Sequence, residues 1–226
     1  MGHLQIKPEP FLGTQPAGVL EPQNTYHDAA WELLAHQCDY AVVDERFIQE
    51  GRIENGVLRI GPALFRTVIA PRIRLLEKTT WQRLAELAGA DGTVLMLGDG
   101  PAVIVSPRGE TEENPATPDR GFRRFADPQA WLAACVSAAE PLLHGVEDYR
   151  NLYVQGRDDG PFRRLLLANL EAERRVYRFR LDAPPIVAVY DPWTGSREET
   201  GREPDGTFAL AIDGGSSLIL EYARTV

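Results

Sequence analysis

Cysteine is scarce in this chain, with only two among 226 residues. Two thiols, Cys38 and Cys135, are too few for a disulfide framework or a cysteine-based zinc site, and both read as buried free thiols. Histidine is nearly as rare, with four. His3, His27, His36 and His144 never stand at a metal-ligand spacing with a carboxylate, so no metal is expected. Long apolar runs are missing as well. The opening "MGHLQIKPEPFLGTQPAGVLEP" has no continuous apolar core of signal-peptide length, and no stretch nears the ~20 apolar residues of a membrane span. The sequence thus predicts no membrane partner and favours a cytoplasmic location. Positive charge is the minority, 24 Lys and Arg against 33 Asp and Glu, a net charge of −9. Binding to a phosphate backbone needs an excess of cations, so nucleic acid is not an expected partner.

Several catalytic signatures are also absent. No G-x-S-x-G or G-x-C-x-G elbow occurs, and Cys135 falls inside an expected helix, which argues against a nucleophilic hydrolase or an active amidotransferase. Gly98-Asp99-Gly100 follows a strand-like run but leads through Pro101 into another strand. The helix N-terminus that would hold a phosphate is missing, and no cofactor is expected. The carboxylates of "DERFIQE" and "EGRIENG" read as surface charge, since an acid and base pair needs a spacing across a cleft that sequence does not set.

What is present suits a soluble globular chain of two modest domains: 43% hydrophobic and 25% charged residues. Residues 1–24, rich in Pro, Gly and Gln, read as a linker or arm. Residues 25–145 read as an α/β domain. Thr25 and Asp28 resemble a capping box ahead of a helix over roughly 27–37. "CDYAVVD" is expected to be a buried parallel strand, Asn55-Gly56 a hairpin turn, "FRTVIAP" a second buried strand and "TTWQRLAELAGADG" a helix. "TVLML" and "AVIVS" follow as strands, so the order predicts a βαβ unit with a parallel sheet. Pro107 to Asp127 is expected to be a surface loop, and "DPQAWLAACVSAAEPLL" a helix with Asp127 as N-cap and Pro128 at its first position. Residues 146–226 hold six short strand-like runs, "NLYVQGR" to "SLILEYA", at regular spacing, which predicts an antiparallel β-sandwich.

The aromatic pair Tyr190 and Trp193 is the candidate binding feature. Trp193 lies in the turn "DPWTG", where an exposed indole would stack on a sugar ring. The alternative is that Trp193 covers the end of the sandwich core from a turn shaped by Pro192 and Gly195.

Three stretches, taken in order, resemble the C-terminal portion of large glycoside hydrolases, in particular the family containing the bacterial α-L-rhamnosidases. They are "CDYAVVDERFIQEGRIENGVLRIGPALFRTVIAPRIRLLEKTTWQRLAELAGADGTVLMLGDGP", "NLYVQGRDDGPFRRLLLANLEAERRV" and "VAVYDPWTGSREET" with "DGTFALAIDGGSSLILEYA". Residues Ala90-Asp91-Gly92 depart from the family's common Gly-Gly. The resemblance implies a flavodoxin-like, amidotransferase-like domain followed by a sandwich, placed after a catalytic (β/α)8 barrel. Such a barrel takes roughly 200 to 250 residues by itself. The family's acid and base would lie on it, so no catalytic residue carries over. The implied role is a non-catalytic accessory segment, partnered by the parent's barrel or by a second copy, with oligosaccharide as ligand. A stand-alone carbohydrate-binding or scaffold module is the alternative.

Overall fold

A computed structural model describes residues 17–113, 120–146 and 150–223. Helix α1 (Ala17–Ala35) begins well before the expected 27, so Thr25 lies inside it, buried, where it cannot cap. The expected arm lies outside the described residues up to 16. After α1 the expected strand "CDYAVVD" is not formed. Cys38 makes one isolated bridge to Pro141, while Tyr40 and Val42 are exposed. A buried parallel strand needs both faces covered, and this run has neither a ladder nor a cover.

Backbone contacts divide the chain into two compact units, residues up to 28 with 45–131, and 29–44 with 132 onward. In the first, α2 (Glu45–Glu50) precedes an antiparallel sheet of β1 (Arg52–Glu54), β2 (Val57–Ile60) and β3 (Ala63–Phe65). Asn55 and Gly56 turn β1 into β2 with φ of 51° and 73°, the left-handed pair that a tight hairpin requires. A Cβ on Gly56 would sit 2.5 Å from the Ala90 carbonyl oxygen, so this tip also needs glycine for close approach.

β4 (Thr67–Ala70), β5 (Leu75–Glu77), α3 (Lys78–Gly89), β6 (Thr93–Leu97), β7 (Val103–Val105), β8 (Thr111–Glu113) and β9 (Phe122–Phe125) follow. β4 and β6 run parallel, with α3 in the crossover, as the βαβ pattern predicts. β6 is parallel to β9 on its other side. β7 does not join this sheet but pairs with β5 in parallel and with β8 antiparallel. Two strands thus lie in the span 107–127 expected to be loop. Phe122 is buried and its ring lies 5.2 Å from that of Trp81, so this phenylalanine anchors "FRRF" despite its arginines. Leu58, Leu76, Trp81, Leu84, Leu87, Val94, Met96 and Ile104 complete the core of this unit.

Helix α4 (Pro128–Ala138) starts as predicted, with Asp127 accepting from the backbone N–H of Gln129 and Ala130 at 3.3 and 3.1 Å. Trp131 is fully buried and donates its indole N–H to the Leu95 carbonyl at 3.3 Å.

The second unit contains β10 (Leu152–Asp159), β11 (Phe162–Asn169), β12 (Arg175–Phe179), β13 (Ile186–Tyr190), β14 (Arg197–Gly201), β15 (Phe208–Ile212) and β16 (Ser217–Ala223). A five-stranded antiparallel sheet has the order β10-β11-β16-β13-β14, and β12 pairs with β15 in a separate ribbon. β14 is an edge strand that composition alone does not announce. Period-2 alternation turns Leu152, Val154, Leu165, Leu167, Val187 and Leu220 of the sheet and Tyr177, Phe179, Phe208, Leu210 and Ile212 of the ribbon into one shared hydrophobic cluster. The inward set of β12 is therefore Tyr177 and Phe179, with Val176 exposed.

At the end of this core sits Asn169, 1% exposed. Its amide donates to the carbonyls of Glu173 and Ile212 at 2.8 and 3.1 Å, and its Oδ1 accepts from the Tyr177 hydroxyl at 2.7 Å and the Glu171 N–H at 3.0 Å. It joins the turn after β11 to the Gly214-Gly215 turn after β15. The approach is tight, since a Cβ on Gly214 would fall 2.1 Å from the Ala172 carbonyl oxygen. The Gly-Gly-Ser-Ser step is thus the form a chain reversal takes when another turn lies against it.

Candidate functional site

The β13–β14 hairpin carries the candidate residues. Tyr190 and Arg197 are its closing pair, and Asp191 to Ser196 form the turn. Asp191 Oδ1 accepts from the backbone N–H of Trp193 at 2.8 Å and of Thr194 at 3.3 Å, the Asx-turn geometry that an Asp-Pro start favours. The Gly195 N–H donates to the Asp191 carbonyl at 2.8 Å, and the Asp191 N–H donates to Ser196 O at 3.0 Å. Gly195 supplies the positive φ, 73°. The hydrogen bond from the Trp193 N–H, with those from Thr194, holds the Asp191 carboxyl below the usual carboxylate range. The turn is braced through Asp191, Trp193, Thr194, Gly195 and Ser196, yet the Trp193 side chain is 74% exposed and belongs to neither hydrophobic cluster.

Tyr190 is placed differently. Its hydroxyl donates to Glu221 Oε1 at 2.9 Å and accepts from Arg197 Nε at 2.9 Å, and the Arg197 guanidinium lies over its ring, 5.5 Å from the centroid. Glu221 Oε2 accepts from Arg164 Nε at 2.7 Å, and Arg164 also donates to Asp159 at 2.5 Å. The Arg164 hydrogen bond, reinforced by Tyr190, holds Glu221 below its ordinary range, and the bond to Tyr190 raises Arg197. The Tyr190 ring thus has the Arg197 guanidinium over it, and its hydroxyl belongs to a polar network. Glu221, Arg164 and Arg197 escaped the sequence reading because the network exists only through the register of β11, β16 and β13. The available signal was the alternation of "PFRRLLLAN" and "LILEYA", which puts Arg164 and Glu221 on the face opposite Leu165 and Leu220.

Elsewhere the residues weighed from sequence have local duties. Glu45 accepts from the Glu77 N–H at 3.0 Å and the Thr80 hydroxyl at 2.8 Å, serving the start of α3. Glu50 pairs with Arg46. His36 Nδ1 lies 2.8 Å from the Glu32 carbonyl, and His3 lies outside the described residues. Burial pushes the thiols of Cys38 and Cys135 up to about 11 and about 12, which leaves them protonated and poorly nucleophilic near neutrality. Among the described residues no group of three or more His, Cys, Asp or Glu side chains is placed to hold a metal. A pocket of about 420 Å³ in the second unit is lined by Gln37, Cys38, Pro141, Leu143, His144 and Arg150, among others.

An α/β unit with parallel strands and an antiparallel β unit, joined in one chain, define a fold class found within solved glycoside hydrolases. The β-galactosidase from Bacillus circulans sp. alkalophilus matches with a TM-score of 0.57 at 15% identity, over 94% of this chain and 39% of that one. Gan42B, a GH42 β-galactosidase from G. stearothermophilus, matches with a TM-score of 0.59 at 13% identity, over 94% of this chain and 38% of that one. A rhamnosidase from Novosphingobium sp. PP1Y matches at 0.55 and 16% identity, over 81% and 20%. Likeness at such identity is one of fold. This chain spans less than two-fifths of the length of these structures. No family model and no curated protein matches it. The likeness extends beyond rhamnosidases to β-galactosidases, which match more of the chain.

Proposed function

We propose that this chain is a non-catalytic accessory region of a glycoside hydrolase, with a flavodoxin-like, amidotransferase-like unit followed by a β-sandwich. The observation that carries the reading is the lopsided coverage: nearly all of this chain corresponds to a minority of each of two β-galactosidases. The crossover of β4, α3 and β6 supports the flavodoxin-like assignment, and the core shared by the five-stranded sheet and the β12–β15 ribbon supports the sandwich. In this role the chain supports a catalytic barrel, contributes to a subunit contact or borders the substrate cleft. The chemistry belongs to the barrel. The rhamnosidase-like assignment rests on the order of the three sequence stretches and on one structural neighbour. A second reading, a stand-alone carbohydrate-binding module, is favoured by one observation, the exposed Trp193 on a braced turn.

The intact mass of the native polypeptide, captured from its source by an antibody to this chain, tests the first reading. A product far above 25.1 kDa that hydrolyses aryl glycosides is expected. A native product of 25.1 kDa whose own hydrolysis is abolished by a single carboxylate substitution overturns it.

A further inference from the structure

We infer that the cavity of about 420 Å³ at the end of α1 binds a small carboxylate with a short aliphatic tail, its charge held by Arg150 and His144. The cavity lies wholly within the second compact unit. Its volume falls in the range of roughly 300 to 1,000 Å³ common to small-molecule sites. The walls are fixed by backbone. The Leu142 N–H donates to the Gln37 carbonyl at 2.8 Å, and His144 exchanges two hydrogen bonds with Arg180 at 2.8 and 2.7 Å.

The way α1 ends decides what the cavity offers a ligand. Gln37 takes a left-handed φ of 53°, a conformation usually left to glycine, and Cys38 N–H reaches back to the Leu33 carbonyl at 2.9 Å. Such a backbone costs a non-glycine residue about 1 kcal/mol or more. In return the buried Gln37 amide donates to the Ala35 carbonyl at 2.9 Å. The Leu34 carbonyl accepts from the Gln37 N–H, and the Glu32 carbonyl from the His36 N–H and from His36 Nδ1. All four carbonyls of the last turn are therefore engaged, and the helix end turns no open acceptor toward the cavity. The polar side chains that remain on its wall, Arg150, His144, His36 and the Cys38 thiol, can all donate. The His144 imidazole makes no side-chain hydrogen bond among the described residues.

Among the described residues no carboxylate lines the cavity. Glu32 lies 3.7 Å from His36 Nδ1 and offsets a charge on that ring alone. Asp39 accepts from the backbone N–H groups of Tyr40 and Gly156 and lies near Arg163, and Glu140, next to Pro141 in sequence, is not on the wall. A guanidinium and two imidazoles without a lining carboxylate suit an anion, and a planar carboxylate matches the guanidinium fork. Val136, Pro141, Leu143 and Val146 supply the apolar part of the wall, which fits an aliphatic tail better than a bare inorganic ion.

This inference goes beyond the accessory reading, because filling a cavity within the second unit does not depend on a barrel upstream. In the 226-residue chain, the imidazole Cε1–H signals are assigned by their disappearance in His27→Gln, His36→Gln and His144→Gln. Sodium butyrate, titrated against sodium chloride at matched ionic strength, should shift and saturate the His36 and His144 signals and leave that of His27, which is off the wall, unmoved. Arg150 is exposed, so Arg150→Ala and Arg150→Gln should keep the parent's thermal midpoint and weaken the affinity about tenfold or more. Butanamide, the same tail without the charge, should not saturate either signal. The absence of a saturable shift overturns the inference, as does an equal response of His27 or an unchanged affinity in both Arg150 variants. Butanamide binding as well as butyrate also overturns it, and so does inorganic phosphate binding more tightly than butyrate, which would mark a site for charge alone.

Discussion

Asn169 and Trp193 are opposite cases of a conspicuous side chain. Asn169 is buried with both its donor and acceptor atoms committed. Replacing it by Ala removes the hydrogen bonds to the Tyr177 hydroxyl and to the Glu173 and Ile212 carbonyls, and a buried polar group left unmatched costs about 1 to 3 kcal/mol. Asn169→Ala is expected to lower unfolding free energy by about 2 to 4 kcal/mol in urea titration. Trp193→Ala removes a larger side chain but almost no packing, so its thermal midpoint should stay within about a degree or two of the parent's. A core plug would instead lose about 3 to 5 kcal/mol. Glu221 gives a pH-dependent prediction. Its folded pKa lies below the ordinary glutamate value of about 4.3, so its contribution to stability is present above that value and is lost as pH falls through the folded pKa. Glu221→Gln should therefore flatten the acid side of the stability profile, measured as thermal midpoint from neutral pH downward.

At the scale of elements, α3 is held at its start by a group outside it. The N-cap residue Glu77 makes no side-chain capping bond, and Glu45 of α2 accepts from its backbone N–H and from the Thr80 hydroxyl. Glu45→Ala should cost about 0.5 to 2 kcal/mol, the range for lost helix caps, read by chemical denaturation. The hairpin turn at Asn55-Gly56 and the helices α3 and α4 were legible because each has a local cause: a left-handed dipeptide, an amphipathic period, an Asp-Pro start. The strand-like runs of the second unit were legible for the same reason, since inward Leu165 and Leu167 alternate with outward residues. What was illegible depended on neighbours. "CDYAVVD" has the composition of a buried strand but no partner strand beside it, while "FRRF" has the charge of a loop and becomes β9 because β6 offers an open edge. Of the candidate site, the exposed tip was visible in "DPWTG", but the Arg197 cover over Tyr190 was not.

For the molecule as a whole, the two cysteines make a convenient probe. Both are buried and both belong to the second compact unit. In the native protein a thiol-reactive dye should modify neither Cys38 nor Cys135 at neutral pH, and both should react once that unit opens, while unfolding confined to the first unit stays silent. Fast native labelling of either thiol would contradict the burial that pushes their pKa values up.

The position of β16 has a consequence for how the chain is made. It is the latest in sequence of the seven strands of the second unit, yet it sits in the middle of the five-stranded sheet, between β11 and β13. During synthesis β11 and β13 emerge first and wait with open edges until residues 217–223 arrive. Those open edges are templates for the wrong partner. Ribosomes stalled just before this strand should release a product prone to clumping and to chaperone capture, and those stalled well after it should not. The codons of this one strand thus decide whether the sheet strands translated before them close on their proper neighbours.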